Sequence, residues 1–173
     1  MRALVVAASR HGATREIAQA VAEELRCHGV DSELLDATVA MGMTDLEKYD
    51  AVVLGSAVYM GNWLPEARQF FEGHRTTLGT VPLWLFSSGP IGDDPKPHGD
   101  PEGIKEILET SGARGHCVFV GKLDKKNLGF AERLAAKVVR SPEGDFRDWD
   151  AIREWARGIA TSLRLRQPSG VAC

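Results

Sequence analysis

Ser9, Arg10, His11, Gly12, Ala13 and Thr14 stand between a short apolar run and a stretch with helical spacing. Ser9 and Thr14 each offer a hydroxyl, and Gly12 lets the backbone come close to an anion. N–H groups at the start of a helix point outward, with the positive end of the helix dipole behind them. One phosphate monoester fits such a cradle. The same residues also read as a plain turn at Gly12 with Thr14 as a cap.

Two further stretches share this small, polar character. Ser56, Ala57, Val58, Tyr59, Met60, Gly61, Asn62 and Trp63 combine a turn signal at Gly61-Asn62 with two aromatic rings expected to face solvent. A ring beside backbone amides suits a flat, polar-rimmed ring system, stacked on its face and hydrogen-bonded at its edge. Trp63 has a second reading, as the start of the next helix packed on the core. Ser87, Ser88, Gly89, Pro90, Ile91 and Gly92 offer more backbone donors, or else a surface turn.

Rival chemistries can be tested against the same residues. A dinucleotide fold needs G-x-G-x-x-G after its first strand, and the first loop has one glycine. A P-loop needs G-K-[ST] at a helix start, which Gly121-Lys122-Leu123 fails in sequence and position. A phosphate-accepting receiver needs an aspartate where Gly55-Ser56 stand, and a low-molecular-weight phosphatase needs a cysteine in the first loop. A mononucleotide is left as the favoured ligand. Cys27, Cys117 and Cys173 form no C-x-x-C pair, and His28, His74, His98 and His116 show no ligand spacing, so neither a disulfide framework nor a metal site is expected.

Periodicity along the chain gives the strands and helices that carry these loops. The continuous apolar run at 3–8 reads as a strand buried on both faces, and 30–35, 51–54, 81–86 and 116–120 read as four more strands. Helical spacing connects them: Ile17, Ala18, Val21, Ala22 and Leu25 form one stripe, stopped at Gly29. Further helices are expected over 64–78, 101–111, 127–140 and 147–164, with a polar loop from 90 to 101. Strands separated by helices imply βαβ units with right-handed crossovers, and five of them fit a doubly wound α/β parallel sheet of order 2-1-3-4-5. In that order ligands sit beyond the carboxyl ends of strands one, three and four, where the three loops lie.

At 173 residues with 43% hydrophobic content, the chain is the size of one domain, expected over 1–166 with a frayed tail at 167–173. No apolar run approaches the length of a membrane span, and Met1-Arg2-Ala3-Leu4 leads into a strand without the pattern of a secretory signal. A soluble, cytoplasmic protein is expected. A net charge of -3 is too mild to argue for nucleic acid. The halves differ: residues 1–90 carry seven Lys/Arg against eleven Asp/Glu, and residues 91–173 carry fourteen against thirteen. Lys126, Arg133, Lys137 and Arg140 fall on one side of the helix expected at 127–140. The stripe is either a solvated face or a contact for an anionic membrane surface or acidic partner.

At the three loops the sequence resembles the flavodoxin family. Ser9-x-x-Gly12-x-Thr14 is similar to that family's phosphate-binding T-x-T-G-x-T, with Ser for the first Thr and His11 at the second Thr position. The resemblance implies FMN, its phosphate held by residues 9–14 and its isoalloxazine flanked by 56–63 and 87–92. Backbone groups near Met60-Gly61-Asn62 are then expected beside the flavin N5 edge. A narrower likeness, carried by R-A-L-V-V-A-A-S-R-H-G-A-T-R-E-I-A, G-S-A-V-Y-M-G-N-W and D-W-D-A-I-R-E-W-A, is to the menaquinone-dependent protoporphyrinogen oxidase branch. That likeness implies oxidation of a porphyrinogen through FMN with electrons passed to a quinone. Two other functions use the same fold: an electron carrier docking on redox proteins, and a module without cofactor or catalysis. Carriers of this family are strongly acidic around the flavin, which suits this charge balance poorly.

Overall fold

A computed structural model describes residues 1–89, 102–123 and 144–165. Its main sheet is built from β1 (Arg2–Ala8), β2 (Asp31–Asp36), β3 (Ala51–Tyr59), β5 (Leu83–Ser88) and β6 (Gly115–Phe119). These run in the order β2-β1-β3-β5-β6, every neighbour parallel. A two-residue strand, β4 (Asn62–Trp63), pairs antiparallel with the end of β3. With that hairpin strand set aside, the order is the doubly wound 2-1-3-4-5 of an α/β flavodoxin-like sheet.

Both faces are covered, which is why the inner strands β1, β3 and β5 are buried along most of their length, while the edge strands β2 and β6 are largely half-buried. Side chains alternate across a strand. Leu4 and Val6 of β1 join Val52, Leu54 and Leu85 on one face, under Ala67, Phe70 and Phe71 of α3 (Pro65–Gly73) and Ile104 of α5 (Glu102–Ser111). Ala3, Val5 and Ala7 point the other way. There they meet Ile17, Val21 and Leu25 of α1 (Ala13–Cys27) and Ile152, Ile159 and Leu163 of α6 (Trp149–Arg164). Asp148 caps α6, its carboxylate accepting from the N–H groups of Asp150 and Ala151.

Several boundaries differ from the sequence reading. The helix expected over 64–78 is two: α3 ends at Gly73 with His74 as its C-cap, and a single turn, α4 (Arg75–Leu78), follows. The fourth main strand lies two residues later than expected, because its ladder begins where the Pro82 carbonyl accepts from Val52 N–H. β3 continues five residues past Leu54, drawn on by pairing first with β5 and then with β4. The short helix α2 (Ala37–Ala40) and the ribbon of β7 (Lys122–Leu123) and β8 (Gly144–Asp145) were below the resolution of periodicity. The loop expected from 90, the helix expected over 127–140 with Lys126, Arg133, Lys137 and Arg140, and the tail 167–173 lie outside the described residues. Among the described residues no helix is long and apolar enough to cross a membrane.

Phe86 fixes how β3 and β5 sit together. The two register partners are Gly55 and Phe86, and the phenyl ring lies directly across the glycine. A Cβ at position 55 would fall 2.0 Å from Cζ of that ring. Phe86 is fully buried and edged by Phe119 and Trp155 at 5.9 and 6.0 Å between centroids. Only glycine lets the ring occupy that place.

Candidate functional site

The carboxyl ends of β1, β3 and β5 stand side by side, with Ala8 opposite Ser56 and Ser56 opposite Ser87. The loops they lead into therefore converge. After β1 the chain turns at Ser9, whose Oγ accepts from Gly12 N–H at 3.1 Å. Gly12 is the N-cap of α1 in a left-handed conformation, φ 88°, and no side chain caps the helix. The first intrahelical bond is Glu16 N–H to the Gly12 carbonyl, 2.9 Å. The N–H groups of Ala13, Thr14 and Arg15 thus have no intrahelical acceptor and form the orphan set of a helix start. A side chain at position 12 would be strained by its φ, and among the described residues the atom beside it is Glu16 Oε1, at 4.0 Å. Backbone donors, an uncrowded glycine and the dipole's positive end fit a phosphate group.

The second stretch is a β-hairpin, not a loop. Tyr59 pairs with Asn62 across Met60 and Gly61, both at positive φ (50° and 78°), as a two-residue primed turn requires. Met60 is 99% exposed at the tip. Asn62 Nδ2 donates to the Met60 carbonyl at 3.1 Å. Across from the hairpin, the Arg10 guanidinium lies 4.9 Å from the centre of the Tyr59 ring, and the His11 ring is 6.3 Å from it. The first loop and the hairpin are joined by these contacts. The third element closes in through Gly89, at φ 111°, where a Cβ would lie 3.6 Å from the Val58 carbonyl oxygen. Gly89 N–H donates to the Phe119 carbonyl.

Other expected site residues are placed inside. Of the two places expected for Trp63, the structure gives the core: it is 3% exposed, so its ring offers no open stacking face. Its Nε1–H instead donates to Ser87 Oγ at 2.8 Å, and Ser87 Oγ lies 2.9 Å from His116 Nε2. Ser56 is buried too: its hydroxyl donates to the Ala57 carbonyl and accepts from Leu64 N–H, stitching the base of the hairpin. Thr14, Ala57 and Ser88 are also buried. Ser9, Arg10, His11, Gly12, Tyr59, Met60, Gly61, Asn62 and Gly89 are left on the rim, while Val58 is half-buried below it. Pro90, Ile91 and Gly92 lie outside the described residues.

Sequence reasoning passed over two groups. His116 anchors the Ser87–Trp63 line from β6. Arg147 is the more consequential: its side chain is 2% exposed, yet it reaches the first turn of α1 from the far end of the chain. The short spacing Asp145-x-Arg147 at the end of β8 is the one local mark of that pair. Nothing local marks Glu16, 131 positions away, as the third member. The hydrogen bonds from Arg147 hold the Asp145 carboxyl below the usual carboxylate range, although burial opposes this. Desolvation works against the Arg147 charge, and hydrogen bonds to Asp145 and Glu16 outweigh it, raising its pKa further. Burial pushes the Cys117 thiol up, so it offers no thiolate near neutrality.

A parallel sheet of this order, with its donor-bearing loops gathered at the strand ends where the order reverses, defines a flavodoxin-like α/β protein. Residues 4–150 match the Flavodoxin domain family, and the chain belongs to it. Protoporphyrinogen IX dehydrogenase [quinone] of Escherichia coli K12 is a distant relative, 24% identical over 92% of this chain and 95% of its own. Among solved structures, a flavodoxin from the domain Archaea superposes with a TM-score of 0.62 at 17% identity, over 95% of this chain and 99% of that one. The rubredoxin oxygen:oxidoreductase of Desulfovibrio gigas gives 0.63 at 15% identity, this chain matching 36% of that longer one. At these identities the structural likeness is one of fold.

Proposed function

We propose that this protein binds FMN and works as an oxidoreductase, with a porphyrinogen as electron donor and a quinone as acceptor. The observation that carries the first half is the uncapped start of α1, with Gly12 at φ 88° beside Ser9. The second half is supported by the E. coli relative, whose name gives both substrate and acceptor.

In this reading the N–H groups of Ala13, Thr14 and Arg15 hold the phosphate, and Arg10 and His11 lie beside it on the side facing Tyr59. Of the described rim residues, Tyr59 would be the aromatic partner of the flavin ring, and the Met60–Asn62 turn and Gly89 would offer backbone groups to it. Bound FMN supplies one- and two-electron redox chemistry, and the protein supplies position and electrostatics. The Trp63–Ser87–His116 line, buried at Trp63 and Ser87 and half-buried at His116, keeps the hairpin in place while the rim contacts a ligand.

Titrating the purified chain with FMN and with riboflavin, followed by flavin fluorescence, tests the cofactor. Anaerobic mixing of the FMN-loaded protein with protoporphyrinogen, with and without menaquinone, tests the reaction through protoporphyrin fluorescence. Tighter binding of FMN than riboflavin and quinone-dependent porphyrin formation are expected. Absence of FMN binding overturns the whole reading. Binding without porphyrin formation leaves the electron-carrier function in its place.

A further inference from the structure

We infer that Arg147 is a positioning residue for the phosphate cradle: it orders the first turn of α1 and offsets the carboxylate that this turn carries. The inference rests on the FMN reading above.

Arg147 lies between β8 and α6, and its guanidinium is used on every edge. Nε and Nη2 donate to the two oxygens of Asp145 at 2.7 and 2.6 Å. Nη2 also meets Glu16 Oε2 at 2.7 Å, and Nη1 donates to the Ala13 carbonyl at 3.2 Å. The Trp149 ring covers it, 4.3 Å from Cζ to the ring centre. A guanidinium in a fixed fork of this kind sets geometry as well as charge.

Its two partners on α1 flank the cradle. Ala13 is the first residue whose N–H faces the phosphate, and its carbonyl is the one Arg147 holds. Glu16 closes the first helical bond onto Gly12 and carries its carboxylate back toward that glycine. A carboxylate in the first turn normally stabilises a helix, yet beside a bound phosphate dianion the two charges repel. Arg147 resolves the conflict by holding Glu16 through Oε2 and supplying a buried positive charge next to it. Asp145 is the brace that fixes the guanidinium from its own strand.

The test separates this role from simple support of the fold by comparing FMN with riboflavin, which differ in the phosphate alone. Loss of charge-assisted hydrogen bonds predicts that Arg147→Gln weakens FMN about tenfold at low ionic strength. Riboflavin affinity should change less than about twofold, because it has no phosphate to repel. Adding Glu16→Gln to that variant should return most of the FMN affinity. Glu16→Gln alone, which leaves Arg147 in place and does not depend on the first variant folding, should tighten FMN and leave riboflavin unchanged. Parallel losses for both flavins in Arg147→Gln, or no FMN-specific change in Glu16→Gln, overturn the inference. A wild-type chain with no preference for FMN overturns the FMN reading as well, and is seen before any variant is made.

Discussion

Substituting Gly55 by alanine measures how tightly β3 and β5 are keyed together. The added methyl would stand 2.0, 2.1 and 2.5 Å from three carbons of the Phe86 ring, all inside the 3.0 Å that real Cβ contacts respect. The ring cannot swing away, because Phe119 and Trp155 pack against it and the residue has no exposed surface. Overpacking of a tight core costs roughly 1–3 kcal/mol. With three clashing carbons, backbone on one side and rings on the other, Gly55→Ala is expected at the upper end, about 3 kcal/mol. For a chain of this size that is a fall in Tm of roughly 6–12 °C. Urea unfolding followed by far-UV circular dichroism gives the free energy directly. Phe86→Leu makes room for the methyl, so the double variant should be more stable than the sum of the two single changes by at least about 1 kcal/mol. A Gly55→Ala protein within about 0.5 kcal/mol of wild type, or strictly additive variants, would refute the packing argument.

Two further outcomes follow from single residues. Met60 holds a left-handed φ of 50° with its side chain wholly in solvent. Met60→Asn should therefore raise stability by about 0.5–1 kcal/mol in urea unfolding, since asparagine tolerates that conformation better; a loss of stability would contradict it. Asp145 has a folded pKa depressed by Arg147, so its contribution is complete above the unfolded value of about 3.9 and is lost as pH falls below it. The urea midpoint of wild type should exceed that of Asp145→Asn by a constant margin near neutrality, and the margin should shrink below about pH 4. A margin that grows on acidification would sink the assignment.

What the sequence determines by itself is local. Alternating burial on two covered faces makes β1 a six-residue apolar run, and the spacing of Ile17, Val21 and Leu25 makes α1 a helix. Gly12, at the junction, marks a backbone that other residues adopt at a cost, so the first loop is legible without coordinates. The tertiary structure decides whatever depends on a distant partner. Trp63 carries the same local signal whether it stacks on a ligand or enters the core. Its hydrogen bond to Ser87, 24 positions on, accompanies the second. The hairpin at Met60-Gly61 exists because β5 carries β3 past Leu54, and strand pairing between distant segments leaves no trace in either alone. Arg147 reads as an ordinary surface arginine until the fold brings Ala13 and Glu16 to it. A backbone conformation is set by neighbours along the chain, whereas a buried charge is set by whatever the fold packs against it.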